Sequence, residues 1–324
     1  MSRHPDLSVV VVTPDGFDVV RKAVAHLRSQ RGCDRIELVV VAPDRERLGP
    51  VNDALDGFWG HRVVEAGPIA TTGRAIAAGF SAASGPLVGY VEEHSYPQPG
   101  WADAVIEAHR GPWAAVGVSL ANANPDSMAS WATLFLDFAP SVELDRAGEV
   151  TALPSHHTIY KRDALLGHRE DLHQLLEVEA VLQSALVSRG DRLYAENAAR
   201  QRHVNVSRLR SLVRAQFLGG RQYAPLRIRE EGFSPARRLG YAVAAPVVVL
   251  VQLRRILRHV ARAGLARELL PRMLPALVLG LVAEQAGETV GYLGAGQGRA
   301  PEDRMGLELG RGSHVRTADA DALR

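Results

Sequence analysis

Leu7-Ser-Val-Val-Val-Val12, stopped by Thr13-Pro-Asp-Gly16, decides how this chain folds. A continuous β-branched run closed by turn residues predicts a strand buried on both faces, of the kind found in parallel sheets. Residues 17–30 follow with apolar groups at helical spacing (Phe17, Val20, Val24, Leu27), and Asp15 or Asp18 stands where a helix start is capped. The alternation then repeats. A strand at 36–41 ends in Ala42-Pro-Asp-Arg45, a short strand covers 61–65, and a small-residue helix covers 72–83. Another strand spans 86–91 and another helix 101–109. Strand–helix alternation of this kind predicts an α/β fold with a Rossmann-like, doubly wound, mostly parallel sheet. Ligands of such sheets bind beyond the carboxyl ends of the strands, which points to the loops after Val12, Val41 and Val91.

Farther along, residues 114–119 read as a strand and 130–138 as a helix or amphipathic strand. Residues 172–188 predict one helix stopped by Gly190, with a strand at 192–196 after it. From Ser207 the chain is helical and Arg-rich, interrupted by Pro235, Pro246, Pro271 and Pro275. Residues 294–324 lack apolar periodicity and are expected to be without structure. Three regions result: a sheet-bearing catalytic domain at 1–205, a basic and apolar helical region at 206–293, and a tail at 294–324.

The 324 residues are 46% hydrophobic, which excludes a collagen-like, coiled-coil or wholly disordered chain. Cys33 is the only cysteine, so no internal disulfide forms, and residues 1–12 lack a signal-peptide pattern. A cytoplasmic chain is expected. Its charge is uneven: residues 205–293 carry 14 Arg against 5 Glu, whereas residues 1–204 hold 19 basic and 26 acidic groups. A basic surface of this kind meets an anionic partner. Val/Leu/Ala runs dominate it and aromatics that would stack on bases are sparse, so the expected partner is an anionic membrane surface and not nucleic acid. Residues 239–253 are free of charge but number 15, short of the roughly 20 that span a bilayer. Residues 269–293 are long enough if Glu284 and Glu288 are sheltered. Interfacial or re-entrant helices, a transmembrane hairpin and a helical subdomain or oligomer interface all remain open.

The densest chemistry lies in Gly89-Tyr-Val-Glu-Glu-His-Ser-Tyr-Pro-Gln-Pro-Gly-Trp101. An apolar strand runs into two carboxylates and an imidazole, groups suited to holding a divalent cation and, through it, a diphosphate. This order of segments resembles the family 2 glycosyltransferases, which have a GT-A fold. There the corresponding strand ends in Asp-x-Asp, followed by a Pro-rich turn and a Gly-Trp that opens the next helix. On that pattern Glu92, Glu93 and His94 occupy the acidic triplet. Residues 8–13 look like the first strand and nucleotide loop, and 37–41 like the second strand. Pro154-Ser-His-His-Thr-Ile-Tyr-Lys-Arg162 resembles the acceptor-side segment, Glu179 stands in the place of the catalytic carboxylate, and His203 matches a histidine near the metal and diphosphate.

The resemblance implies an inverting transfer from a nucleotide-sugar donor to a hydroxyl of a lipid-linked or envelope glycan, at the cytoplasmic face of the membrane. Glu179 would be the general base, with Glu177 the neighbouring alternative. Thr13, Pro14, Asp15, Asp44, Arg74, Glu92 and Glu93 would bind the nucleotide sugar. Glu92, His94 and His203 would hold the metal, and His156 and His157 would line the acceptor or diphosphate side. Three departures stand out. The usual acid after the second strand falls at Ala42 or Pro43, with Asp44 one or two positions on. Arg74 is about two positions from the usual arginine. His94 replaces the final aspartate, which favours Mn²⁺ over Mg²⁺. That substitution also motivates an alternative, a catalytically silent nucleotide- or glycan-binding scaffold. A nucleotidyltransferase is disfavoured because no Gly/Arg-rich phosphate loop follows the first strand.

Overall fold

The computed structural model describes residues 4–168, 170–294 and 300–323. In chain order it begins β1 (Leu7–Val12), α1 (Phe17–Arg28), β2 (Ile36–Ala42), α2 (Arg45–Leu48), β3 (Gly60–Glu65), α3 (Thr72–Ala82), β4 (Leu87–Tyr90), β5 (Ser95–Pro97) and α4 (Trp101–Ala108). Next come β6 (Ala115–Asn122), α5 (Met128–Phe138), β7 (Gly148–Val150), β8 (Thr158–Lys161), α6 (Arg162–Leu165), α7 (Leu172–Leu175), α8 (Glu179–Ser188) and β9 (Leu193–His203). Four α-helices follow, α9 (Leu209–Glu231), α10 (Pro235–Arg262), α11 (Ala266–Tyr292) and α12 (Ala300–Glu308), and after them two 3₁₀ turns at Arg311–His314 and Thr317–Ala322. The elements form two compact units: Met1–Ala121 with Glu143–His203, and Asn122–Val142 with Val204–Arg324.

The first unit is the expected α/β fold, a mixed sheet flanked by helices. The strand order is β3-β2-β1-β4-β8-β6-β9-β5, with β7 also on β9. β3, β2, β1 and β4 are mutually parallel, while β8 runs antiparallel to β4 and β6, and β5 and β7 antiparallel to β9. All six residues of β1 and all seven of β2 are buried, as an uninterrupted β-branched run requires. The one acid in that core, Glu37, is fully satisfied: it accepts from the Ser8 hydroxyl (2.5 Å), the Ser84 N–H (2.7 Å) and Arg62 (3.1 Å). Helix α3 lies so close to β1 and β2 that a Cβ on Gly79 would come within 2.5 Å of the Val10 side chain.

Three local readings are corrected. Residues 172–188 are two short helices, α7 and α8, and between them the Glu177 carboxylate accepts the Gly73 N–H at 2.7 Å. Strand β9 continues past Glu196 to His203, with Leu193, Ala195, Ala199, Gln201 and His203 facing inward. Neither Asp15 nor Asp18 caps α1, since Gly16 occupies the cap position and Asp18 pairs with Arg21.

In the second unit α11 packs along α9 and α5. Glycines permit the α9–α11 approach: a Cβ on Gly220 would lie 2.1 Å from the Glu284 carbonyl, and one on Gly287 2.0 Å from that of Phe217. Pro246, Pro271 and Pro275 lie inside helices, and Pro235 opens one. The tail is structured over its described part, contrary to expectation. Leu307, Leu309 and Val315 are buried, Ser207 and Arg208 donate backbone N–H groups to the His314 carbonyl, and the Ser207 hydroxyl meets Asp319.

Candidate active site and metal centre

Strand register assembles the site. β4 and β8 are antiparallel with Gly89 opposite Ile159, so the residues leaving β4 face those entering β8. Glu92 thereby meets His156 and His157. β5 pairs with β9 with Ser95 opposite His203, which sets His203 beside His94. Glu179 is the first residue of α8. The sequence-predicted residues Glu92, Glu93, His94, His156, His157, Glu179 and His203 thus form one cluster within the first unit.

Glu92 is its hub. Its Oε1 lies 2.9 Å from His156 Nδ1. Its Oε2 faces the Nε2 atoms of His203 at 3.2 Å, His157 at 3.3 Å and His94 at 3.4 Å. The His94 and His157 rings each meet the His203 ring edge-on, with centroids 4.8 and 5.1 Å apart. On its other nitrogen His94 lies 3.1 Å from Glu93 Oε1. His156 adopts a left-handed backbone (φ 63°), a conformation retained by a non-glycine residue only where its surroundings hold it. Its N–H donates to Glu179 Oε1 at 2.8 Å while its ring serves Glu92. The Tyr160 hydroxyl donates to Glu179 Oε2 at 2.7 Å.

Burial and charge oppose each other here. Burial pushes the Glu92 carboxyl up, but His94 and the hydrogen bonds from His156, His157 and His203 outweigh it and hold the group well below the usual carboxylate range. Burial lowers His203 to about 3, only partly offset by Glu92. Burial also raises Glu179, against the pull of His156 and the Tyr160 hydroxyl, which moves it toward the range of a general base.

The donor set fits a metal ion. Single ligand atoms of Glu92, His94 and His203 lie within 4.8 Å of one another, all three residues buried. Glu93 is buried beside them, and among the described residues no well-aligned hydrogen-bond donor serves its Oε2, while its Oε1 has the His94 ring nitrogen at 3.1 Å; a cation would balance such a carboxylate. Imidazoles around one carboxylate suit a borderline transition ion better than Mg²⁺, which prefers oxygen donors.

The remaining predicted residues lie in loops and turns at the strand ends and do not bond to this cluster. Thr13 donates its hydroxyl to the Gly16 carbonyl (2.7 Å) and its N–H to that of Val41 (2.9 Å). Pro14 and the exposed Asp15 follow it. Asp44 caps α2, accepting the Arg47 N–H at 2.6 Å, and Arg74 is exposed on the first turn of α3. Glu177, the alternative base, is committed to Gly73.

Sequence reasoning missed Tyr160 and Gln201. Gln201 Oε1 lies 3.1 Å from His157 Nδ1, which directs the opposite ring nitrogen at Glu92. Its signal was the alternation of Ala199, Gln201 and His203 with Arg200 and Arg202, which extends the strand.

No family model and no curated protein matches this chain. Among solved structures, residues 1–349 of S. aureus TarS align over 88% of this chain and 90% of that one, at 15% identity and a TM-score of 0.45. The same TarS fragment in complex with UDP-GlcNAc aligns over 90% and 92%, at 16% identity and a TM-score of 0.41. A mycobacterial protein aligns over 72% and 76%, at 17% identity and a TM-score of 0.44.

Proposed function

We propose that the protein is a metal-dependent glycosyltransferase that moves a sugar from a nucleotide-sugar donor to an acceptor hydroxyl, with inversion. One observation carries the reading: His156 joins a buried carboxylate of raised pKa, Glu179, to the metal-competent cluster around Glu92. A base and a diphosphate-neutralising centre held that close suit single displacement at an anomeric carbon. Glu179, positioned by the His156 N–H and the Tyr160 hydroxyl, takes the acceptor proton as the oxygen attacks. Glu92, His94 and His203 would hold the ion, with His157, oriented by Gln201, beside them. When bound, the ion neutralises charge on the departing nucleotide diphosphate. Thr13, Pro14, Asp15, Asp44 and Arg74 stand at the nucleotide end, and Glu93 contributes to the donor side. The acceptor is a lipid-linked or envelope glycan intermediate at the cytoplasmic face of a membrane, a reading supported by the basic and apolar composition of the second unit.

The test is nucleotide release from UDP-, GDP- and dTDP-sugars with Mn²⁺ or Mg²⁺, for wild type and Glu179→Gln. The expected result is turnover with one donor, falling about 10²–10⁴-fold in Glu179→Gln with nucleotide affinity unchanged. Nucleotide binding without turnover in wild type favours the silent scaffold, and release of pyrophosphate points to nucleotidyl transfer.

A further inference from the structure

Among the described residues, nothing covers the apolar side of helix α10. Leu239, Val243, Val247, Leu250 and Val251 are each 51–72% exposed, whereas Ile256 and Val260 are the residues it buries. At 100° per residue the five fall on one side of the helix, and the exposed Arg254 and Arg258 continue the same line. The helix carries six arginines and no acid. An apolar stripe with a purely cationic rim is complementary to a surface that is apolar beneath and anionic above.

The manner of docking follows from the same unit. The charge-free run 239–253 holds 15 residues, about 22 Å of helix, short of the roughly 30 Å hydrocarbon core. Arginines stand at both of its ends. By length and composition both α10 and α11 could cross a membrane, but the charge-free run of α10 is too short for the hydrocarbon core, and the α11 backbone is pressed on α9 at Gly220, Gly287 and Gly291. α9 brings Arg210, Arg214, Arg221, Arg227 and Arg229 with it, groups that are expensive to place in hydrocarbon. We infer that α10 lies in the plane of an anionic lipid surface, its Leu239–Val251 face sunk into the interface and its arginines on the headgroups, without spanning the bilayer.

Sedimentation of the full chain with vesicles tests this, comparing an equal mixture of phosphatidylcholine and phosphatidylglycerol with phosphatidylcholine alone. Binding is expected to the anionic vesicles and to weaken with salt. Arg254→Gln and Arg258→Gln should each weaken it about fivefold, and Val243→Glu with Leu250→Glu more than tenfold. Circular dichroism checks that these exposed positions leave the fold intact. Protein in cell membranes should be released by alkaline carbonate. Failure of wild type to bind anionic vesicles, indifference to all four substitutions, or retention through carbonate overturns the inference. Concentration-dependent self-association abolished by Val243→Glu, without lipid binding, assigns the face to a second copy and overturns it equally.

Discussion

Replacing Glu92 with Gln probes the centre most directly, because one carboxylate faces four imidazoles. A ligand at about 100 times its Kd stabilises the native state by about 2.7 kcal/mol. Unfolding entropy near 60 °C is about 2.1 cal/mol/K per residue, and the unit holding the site has roughly 180 residues. The expected rise in Tm is therefore about 7 °C for wild type with Mn²⁺ and the correct nucleotide. The Gln carboxamide keeps one acceptor oxygen and loses the charge. A hundredfold loss of affinity, about 2.7 kcal/mol, brings the same ligand concentration to about Kd, where the stabilisation is about 0.4 kcal/mol and the shift about 1 °C. Scanning calorimetry of both proteins, with and without metal, reads this directly. Mg²⁺ should give the smaller wild-type shift. A Glu92→Gln protein that retains the full Mn²⁺-dependent shift refutes the assignment of Glu92 as a metal ligand.

Other positions test the frame around the site. Gly73→Ala places a Cβ 2.3 Å from the His173 carbonyl and 2.8 Å from Glu177 Oε1, so it should cost about 1–3 kcal/mol, read as a lower urea midpoint. Gly287→Leu, whose Cβ would sit 2.0 Å from the Phe217 carbonyl, should destabilise the α9–α11 packing by at least that much and lower Tm. Burial, with Asp34 beside it, pushes the Cys33 thiol from 9.0 up to about 11. Native Cys33 should then alkylate about 100-fold more slowly than an unperturbed thiol at pH 8, speeding tenfold per pH unit. The sign for stability is opposite to that of a buried histidine. The folded state holds Cys33 neutral, so its contribution is complete below the unfolded pKa and is lost as pH rises from about 9 toward 11. Cys33→Ser should flatten that alkaline limb of urea unfolding.

The parallel half of the sheet was legible because strands buried on both faces are written as unbroken apolar runs, as in Leu7–Val12 and Ile36–Ala42. Two of the strands that position the site were not. β5 and β8 have three and four residues, too few for a period, and they exist by virtue of partners more than 40 residues away in sequence. The break between α7 and α8 was invisible for a similar reason. Leu172, Leu175, Leu176, Leu182 and Leu186 keep helical spacing through it, and Glu177 at the break binds Gly73, 104 residues away. The tail reads as polar because it is held by polar contacts, among them those of Ser207 and Arg208, with only a few buried apolar groups.

The residues that gather around Glu92 can be named from the sequence as candidates; that they form a cage is a matter of distance. One carboxylate oxygen has two lone pairs, yet three Nε2 atoms converge on Glu92 Oε2 at 3.2–3.4 Å. That exceeds what Oε2 accepts, and the separations are longer than the roughly 2.7–2.9 Å of charge-assisted hydrogen bonds. They do match another requirement. Bonds of about 2.0–2.1 Å to a tetrahedral ion such as Zn²⁺ separate neighbouring ligand atoms by about 3.3–3.4 Å. A hydrogen-bonded polar core would instead distribute its donors over both oxygens at shorter range. The spacing therefore favours donors gathered to surround a cation, and it makes His157 a fourth group to test. If it is a ligand, His157→Ala should lower metal affinity as much as His203→Ala does; if it only orients its neighbours, the loss should be nearer 10–100-fold, with the ligand set of Glu92, His94 and His203 still binding.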